Sequence, residues 1–135
     1  MATTIPSKTT TEIAAMTTTE IAALTTEDWA AFSAAQVVAL TTTQIGSIAT
    51  SGLRAMQATS AAAFETSDMN LMSVSQFNAF TSAQITALTT TQFSSLSTTL
   101  LDGMTTTQFR GLEGQDLAVI GTTALNTLTA SQVGA

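Results

Sequence analysis

The chain repeats itself every eight residues without a slip. Residues 9–32 read TTTEIAAMTTTEIAALTTEDWAAF, three copies of one phrase with small edits. With Thr9 as position 1, position 8 holds Met16, Leu24, Phe32, Leu40, Ile48, Met56, Phe64, Met72, Phe80, Leu88, Leu96, Met104, Leu112, Ile120 and Leu128, none of them polar. Position 5 runs from Ile13, Ile21 and Trp29 to Leu117, Leu125 and Val133, and only Ala61 in that series is small. Every Phe, the single Trp and every Met except Met1 fall on these two positions. The register survives stretches where the phrase itself is hard to see, such as SGLRAMQATSAAAFETSDMNLM. A fixed period of this kind is the signature of a repeat architecture.

Positions 5 and 8 are three apart and so share one face of a helix. Position 1 is mostly Thr or Ser, and position 4 is mostly Gln, Glu or Asp. Thr9/Glu12, Thr17/Glu20, Ser33/Gln36, Thr41/Gln44, Ser73/Gln76, Thr81/Gln84, Thr89/Gln92, Thr105/Gln108 and Thr129/Gln132 fit the capping box, in which each side chain satisfies an orphan N–H of the helix start. The apolar residue at position 8 precedes the cap and pairs with the next position 5 as a hydrophobic staple. Each octad therefore carries its own start signal.

A single long helix does not fit this pattern. Eight residues at about 100° each rotate the apolar stripe by roughly 80° per octad, so it would wind around the helix and face nothing. Thr runs such as Thr41-Thr42-Thr43 disfavour helix interiors as well. A β-solenoid needs period two, which a spacing of 3, 5, 3, 5 does not supply. The expected fold is all-α: a solenoid of very short capped helices, one per eight-residue repeat. Such helices are unstable alone and must stack. Small residues at position 7, among them Ala15, Ala39, Gly103 and Gly111, let neighbours approach. Two octads per layer would give about eight layers of roughly 8–10 Å, a rod on the order of 70 Å; the pattern leaves two or three octads per turn open. Residues 1–8 read as a degenerate N-terminal arm, with Ile5 in register but Lys8 in place of the anchor and Pro6 disturbing the helix, and 9–135 as one solenoid.

Chemistry is scarce. There is no His and no Cys, which excludes Ser–His and Cys–His nucleophile pairs and thiolate metal sites. The net charge of −6 with three cations, Lys8, Arg54 and Arg110, offers nothing to neutralise phosphates, so neither nucleic acid nor an anionic membrane surface is an expected partner. No apolar run is long enough to span a bilayer, so no membrane insertion is expected. Among carboxylates, Glu27-Asp28 and Asp102 stand out; Asp28, Asp68 and Asp116 occupy position 4 and read as helix-start residues. Glu113-Gly114-Gln115-Asp116 is a weak calcium candidate, lacking the run of oxygen ligands such a loop needs. Trp29 and the Met and Phe stripe read as core, and no cofactor, metal or enzymatic activity is expected.

The remaining features concern assembly. Threonines at positions 2 and 3, such as Thr10-Thr11, Thr18-Thr19 and Thr42-Thr43, would form hydroxyl rows, a polar surface with good turn chemistry or an array for ice or a glycan. Neither end shows a polar cap: LTASQVGA stops at position 7 with Val133 in its apolar place. Uncapped repeat rods expose core, and a contact that does not close builds a filament. The expectation is a homopolymeric filament in which copies stack end to end, with Ile5, Pro6, Lys8, Ile13, Leu125, Leu128 and Val133 as junction candidates. The competing readings are a stalk or adhesive segment of a larger surface protein and a Thr-array ice- or glycan-binding rod.

The phrases LTTTQI, TSAQITALTTTQF and TEIAAMTTTEIAAL resemble the L-[ST]-T-x-Q-[IVF]-x-A-L octads of large secreted or surface repeat proteins of proteobacteria. The resemblance implies an extracellular or cell-surface structural molecule, exported without a cleaved N-terminal signal, with a polysaccharide matrix as a further partner. MATTIPSKTTTE is consistent with that route, having no basic and apolar leader. The chain is short beside such proteins and carries no separate adhesive or calcium-binding module, which favours a pure building block.

Overall fold

A computed structural model describes residues 4–112. Within them lie a short 3-10 helix, Ile5–Ser7, and thirteen α-helices: α1 (Thr10–Ala14), α2 (Thr18–Ala22), α3 (Thr26–Ala30), α4 (Ala34–Val38), α5 (Thr42–Ile45), α6 (Thr50–Ala55), α7 (Ala58–Ala61), α8 (Thr66–Leu71), α9 (Val74–Asn78), α10 (Ser82–Ala87), α11 (Thr90–Ser94), α12 (Thr98–Asp102) and α13 (Thr106–Arg110). Each occupies one octad, and no strand occurs among the described residues. The fold is the expected solenoid of short helices.

The caps explain why a helix can start every eight residues. In α1 to α5, α9 to α11 and α13 the position 1 hydroxyl accepts from the position 4 N–H, and the position 4 side chain accepts from the position 1 N–H. All the expected boxes from Thr9/Glu12 to Thr105/Gln108 form, and Thr25/Asp28 adds another. Thr129/Gln132 lies outside the described residues. The ends are equally local. In α1 the position 7 residue Ala15 stays helical, at φ −85°, ψ −8°, and the next cap, Thr17, is extended at φ −74°, ψ 160°. The chain thus reverses through ordinary backbone regions, and no described residue has positive φ.

Asp68 departs from the expected pattern. Glu65 stands at the cap of α8 and makes no side-chain cap bond, so Asp68 is not half of a capping box. α6 and α7 likewise begin at Ala49 and Gln57 without a side-chain cap. Capping boxes need Ser or Thr at position 1, which these three octads lack.

One core runs the length of the described chain. Position 5 side chains from Ile5 to Leu101 are all buried, most of them completely, and position 8 joins them from Phe32 to Met104. Ile5 takes its place in this core, so residues 4–8 act as an incomplete octad at the head of the solenoid.

The turn of the solenoid differs from the two-octad layer behind the 70 Å estimate. Helices pack on those three octads away: α1 on α4, α2 on α5, α3 on α6, α4 on α7, α5 on α8, α6 on α9, α7 on α10, α9 on α12 and α10 on α13. Side-chain bonds also reach four octads back, at separations of 28 and 31 residues. Each turn therefore takes between three and four octads, and the rod is correspondingly shorter. Position 7 glycines sit at close approaches between turns. A β-carbon on Gly103 would stand 2.5 Å from Val74 Cγ1, and one on Gly111 would stand 3.0 Å from the Ser82 carbonyl oxygen.

Candidate functional site: the interface between solenoid turns

The position 4 glutamines do two things at once. Their Oε1 closes the capping box, and their Nε2 donates across to the previous turn. Gln84 Nε2 donates to the carbonyls of Leu53 and Met56, both at 2.8 Å. Gln36 does the same to Ile5 (2.7 Å) and Lys8 (2.9 Å), Gln44 to Ile13 (2.9 Å) and Met16 (2.8 Å), and Gln76 to Ile45 and Ile48 (both 3.0 Å). Gln108 donates to Phe77 (2.7 Å) and Phe80 (3.2 Å), and Gln92 to Ala62 (2.8 Å) and Phe64 (2.7 Å). The acceptors are almost always the position 5 and position 8 carbonyls. These lie at the open end of a short helix, where carbonyls lack intrahelical partners. All six glutamines are buried, so each amide is held in place and every one of its polar atoms is used.

Where position 4 is not Gln, the layer changes. Ser60 Oγ donates to the Phe32 carbonyl at 2.7 Å. Gly52 faces Trp29, whose indole stacks on Phe32 with ring centroids 4.5 Å apart. Trp29 Nε1 is buried there without a hydrogen-bond partner. Asp68 is buried where other octads place an amide, and desolvation, with Glu65 nearby, raises its carboxyl pKa. Asn70 ties turns together outside the core, donating to the Ser95 carbonyl (2.7 Å) and accepting from Ser97 N–H (2.9 Å).

The first turn is different. Glu12, Glu20 and Asp28 fill position 4 of α1, α2 and α3 and close their capping boxes as acceptors from the cap N–H. Glu12 and Glu20 are exposed. Hydrogen bonds from the backbone and then the hydroxyl of Thr9 and Thr17, with Lys8 adding a smaller attraction, hold these two carboxyls below the usual carboxylate range.

The junction candidates fall as follows. Ile5 and Ile13 are buried in the chain's own core. Pro6 is exposed at the start of the 3-10 helix, and Lys8 is half-buried with its carbonyl taken by Gln36. Leu125, Leu128 and Val133 lie outside the described residues, as do Asp116 and the Glu113–Asp116 calcium candidate. Glu27 and Asp102 are exposed, and no group of three or more metal-ligating side chains forms among the described residues. The surface carries open grooves, such as that lined by Thr26, Thr50, Ser51 and Arg54. No described helix is long and apolar enough to cross a membrane. Sequence reasoning missed the cross-turn role of the glutamines. The available signal was the change from Glu12, Glu20 and Asp28 to Gln36 and Gln44, at the point where a previous turn first exists.

These features define a helical repeat protein whose turns are bonded through capping glutamines. Its octads place it in a named family: the ALTTAQ repeat model matches residues 13–50 and 61–98, over half of the chain, and the chain belongs to that family. Neither a curated protein nor a solved structure matches it.

Proposed function

We propose that the chain is a structural, non-catalytic building block, the subunit of a homopolymeric filament outside the cell in which solenoids stack end to end. The observation that supports this is the self-complementary turn interface. Octads with Gln at position 4 offer donors on one face and position 5 and 8 carbonyls on the other, so a glutamine-bearing turn of a second copy carries the same groups as the next turn of the same chain. Contacts of this heterologous kind extend without closing. The extracellular or cell-surface setting, export without a cleaved signal and a surrounding polysaccharide matrix rest on the resemblance to secreted octad-repeat proteins. Electron microscopy of the purified chain tests the reading. Unbranched fibres of solenoid width are expected; a monodisperse monomer at high concentration, at neutral and acidic pH alike, would sink it.

A second reading, a stalk segment of a larger surface protein, draws on the acidic first turn, which has no amide donors for a preceding layer. A reading frame that continues beyond Ala135 in the same octad register would decide for it. The ice- or glycan-binding reading draws on the exposed hydroxyls of Thr10, Thr11, Thr18, Thr19, Thr42, Thr43, Thr91, Thr106 and Thr107. It predicts thermal hysteresis or retention on a glycan column.

A further inference from the structure

Cross-turn bonds repeatedly join residues 28 apart, as in Gln84 to Met56, Gln108 to Phe80 and Ser60 to Phe32. A step of 28 residues is three and a half octads, so residues that far apart adjoin in successive turns. Thr26, Arg54, Ser82 and Arg110 follow one another at this step and form a column along the solenoid. Three grooves lie on the column, of about 410, 450 and 430 Å³, the size of clefts that hold small ligands. The first includes Thr26, Thr50, Ser51 and Arg54. The second runs from Arg54 past Asn78 to Ser82 and Thr107, and the third from Ser82 and Thr107 past Thr86 to Arg110. Neighbouring grooves share Arg54, Ser82 and Thr107, so they make one channel across the turns from α3 to α13.

The charge of this channel opposes that of the molecule. The chain carries −6 overall with three cations, and both arginines stand here. Lys8 sits near Glu12 and Glu20 instead. No carboxylate among the described residues lines the three grooves; Glu27 follows Thr26 in the chain without joining the lining. Arg54 and Arg110 are exposed and make no side-chain hydrogen bond or ion pair among the described residues. Both guanidinium forks are therefore open to bidentate pairing with carboxylates. They stand two turns apart, roughly 16–20 Å at the spacing of packed helices. One small anion cannot reach both, and a single exposed pair gains little. A strand that carries several carboxylates engages the two together. Between the arginines the lining offers the hydroxyls of Ser82, Thr86 and Thr107, which match sugar hydroxyls as donors and acceptors. Asn78 adds a buried Oδ1 with no hydrogen-bond partner, an unsatisfied acceptor beside the second groove. Nucleic acid fits less well: Phe80 is buried, so no exposed ring is offered for base stacking, and the net charge opposes a phosphate at every nucleotide.

We propose that this channel binds an acidic polysaccharide, a polyuronate strand laid along the solenoid with its carboxylates on Arg54 and Arg110 and its hydroxyls on the Ser and Thr lining. The proposal rests on the extracellular reading above for the presence of such a polymer and does not depend on polymerisation of the chain.

The test is isothermal titration of the full-length chain with polygalacturonate at neutral pH and low salt. Neutral dextran, poly-glutamate and single-stranded oligo-deoxythymidylate serve as comparisons. The variants are Arg54→Gln with Arg110→Gln, Ser82→Glu, and Lys8→Gln as a control outside the channel, each checked for helix content by circular dichroism. The wild type should bind polygalacturonate and not dextran, with an affinity that falls as salt is added, because exposed charges are screened. The double arginine variant should bind about tenfold more weakly, having lost two exposed charge-assisted pairs. Ser82→Glu sets a carboxylate between the arginines in the first turn of α10, where an acid suits the helix, and should weaken binding similarly. Lys8→Gln should bind as the wild type does. The proposal is overturned by a wild type that ignores polygalacturonate or takes dextran equally well. It is also overturned by unchanged affinity in either channel variant, or by an equal loss in Lys8→Gln. Equal or tighter binding of poly-glutamate or of the oligonucleotide overturns it too and assigns the channel to an acidic peptide or to nucleic acid. Fibres in the electron microscope without polygalacturonate binding would overturn this proposal and leave the filament standing. A monomer that binds polygalacturonate but never forms fibres would do the reverse.

Discussion

The indole of Trp29 fills the space that a β-carbon on Gly52 would need: a methyl built there would stand 2.5 Å from Trp29 Nε1. Two terms compete in Gly52→Ala. Replacing Gly inside α6 gains about 1 kcal/mol of helix propensity. Overpacking against a buried ring costs about 1–3 kcal/mol. Trp29 is wholly buried and the chain folds around its stack on Phe32, so the clash should win. Urea denaturation should show a net loss of about 1–2 kcal/mol. Combining it with Trp29→Leu should cost less than the sum of the two changes. Strict additivity would mean that the two positions do not share the space.

Gln84→Glu keeps the cap acceptor and removes the cross-turn donor. The new carboxylate would sit at a site 2% exposed, against the carbonyls of Leu53 and Met56. Losing two buried hydrogen bonds and stranding a charge should cost about 3–5 kcal/mol near neutral pH. Desolvation raises the pKa of the new carboxyl, so stability should return as the pH falls and it protonates. Chemical denaturation at neutral and acidic pH measures both effects. A cost that does not change with pH would mean that the cap, not the donor, matters at this position.

Much of this architecture is written in the octad itself. Positions 5 and 8 set the core, and Thr or Ser at position 1 with Gln or Glu at position 4 sets each helix start, because both signals are local. The number of octads per turn is not local. Capping and cross-turn bonding both select Gln at position 4, so Gln84 alone cannot reveal which job it does. Only the contrast between Glu12, Glu20 and Asp28 and the later Gln36 and Gln44 separates the jobs. Gly52 beside Trp29 was similarly opaque: a small residue at position 4 looks like a degraded repeat until the ring 23 positions earlier is placed against it.

Asp68 should be the weak point of the middle octads at neutral pH. Its folded pKa is raised by desolvation and then by Glu65. A raised folded value means that its contribution to stability is present below the unfolded pKa and is lost as pH rises through the folded one. Asp68→Gln restores the amide found at this position in six other octads among the described residues. It should stabilise the chain near neutral pH by about 1 kcal/mol, one recovered hydrogen bond, and flatten this part of the pH profile. Thermal melts across the acid-to-neutral range give the comparison, and an unchanged profile would show that Asp68 finds adequate solvation where it is.

Glu12 and Glu20 titrate in the opposite sense, and their effect should be confined to the first turn. Their folded pKa values are lowered, first by the backbone N–H bonds from Thr9 and Thr17 and then by the hydroxyls. A lowered value means that stability is present above the unfolded carboxylate pKa and is lost as pH falls through the folded one. Protonation weakens the acceptor at each cap, so α1 and α2 should loosen in acid before the amide-capped helices α9, α10 and α11, whose Gln76, Gln84 and Gln92 do not titrate. Thr17→Ala removes the hydroxyl acceptor of one box and should cost about 1 kcal/mol. It should also bring the Glu20 pKa closer to its ordinary value. Amide hydrogen exchange at Thr9 and Thr17 against Ser73 and Thr81, followed as the pH is lowered, checks the order. Equal protection at both ends throughout would mean that these boxes contribute through geometry alone.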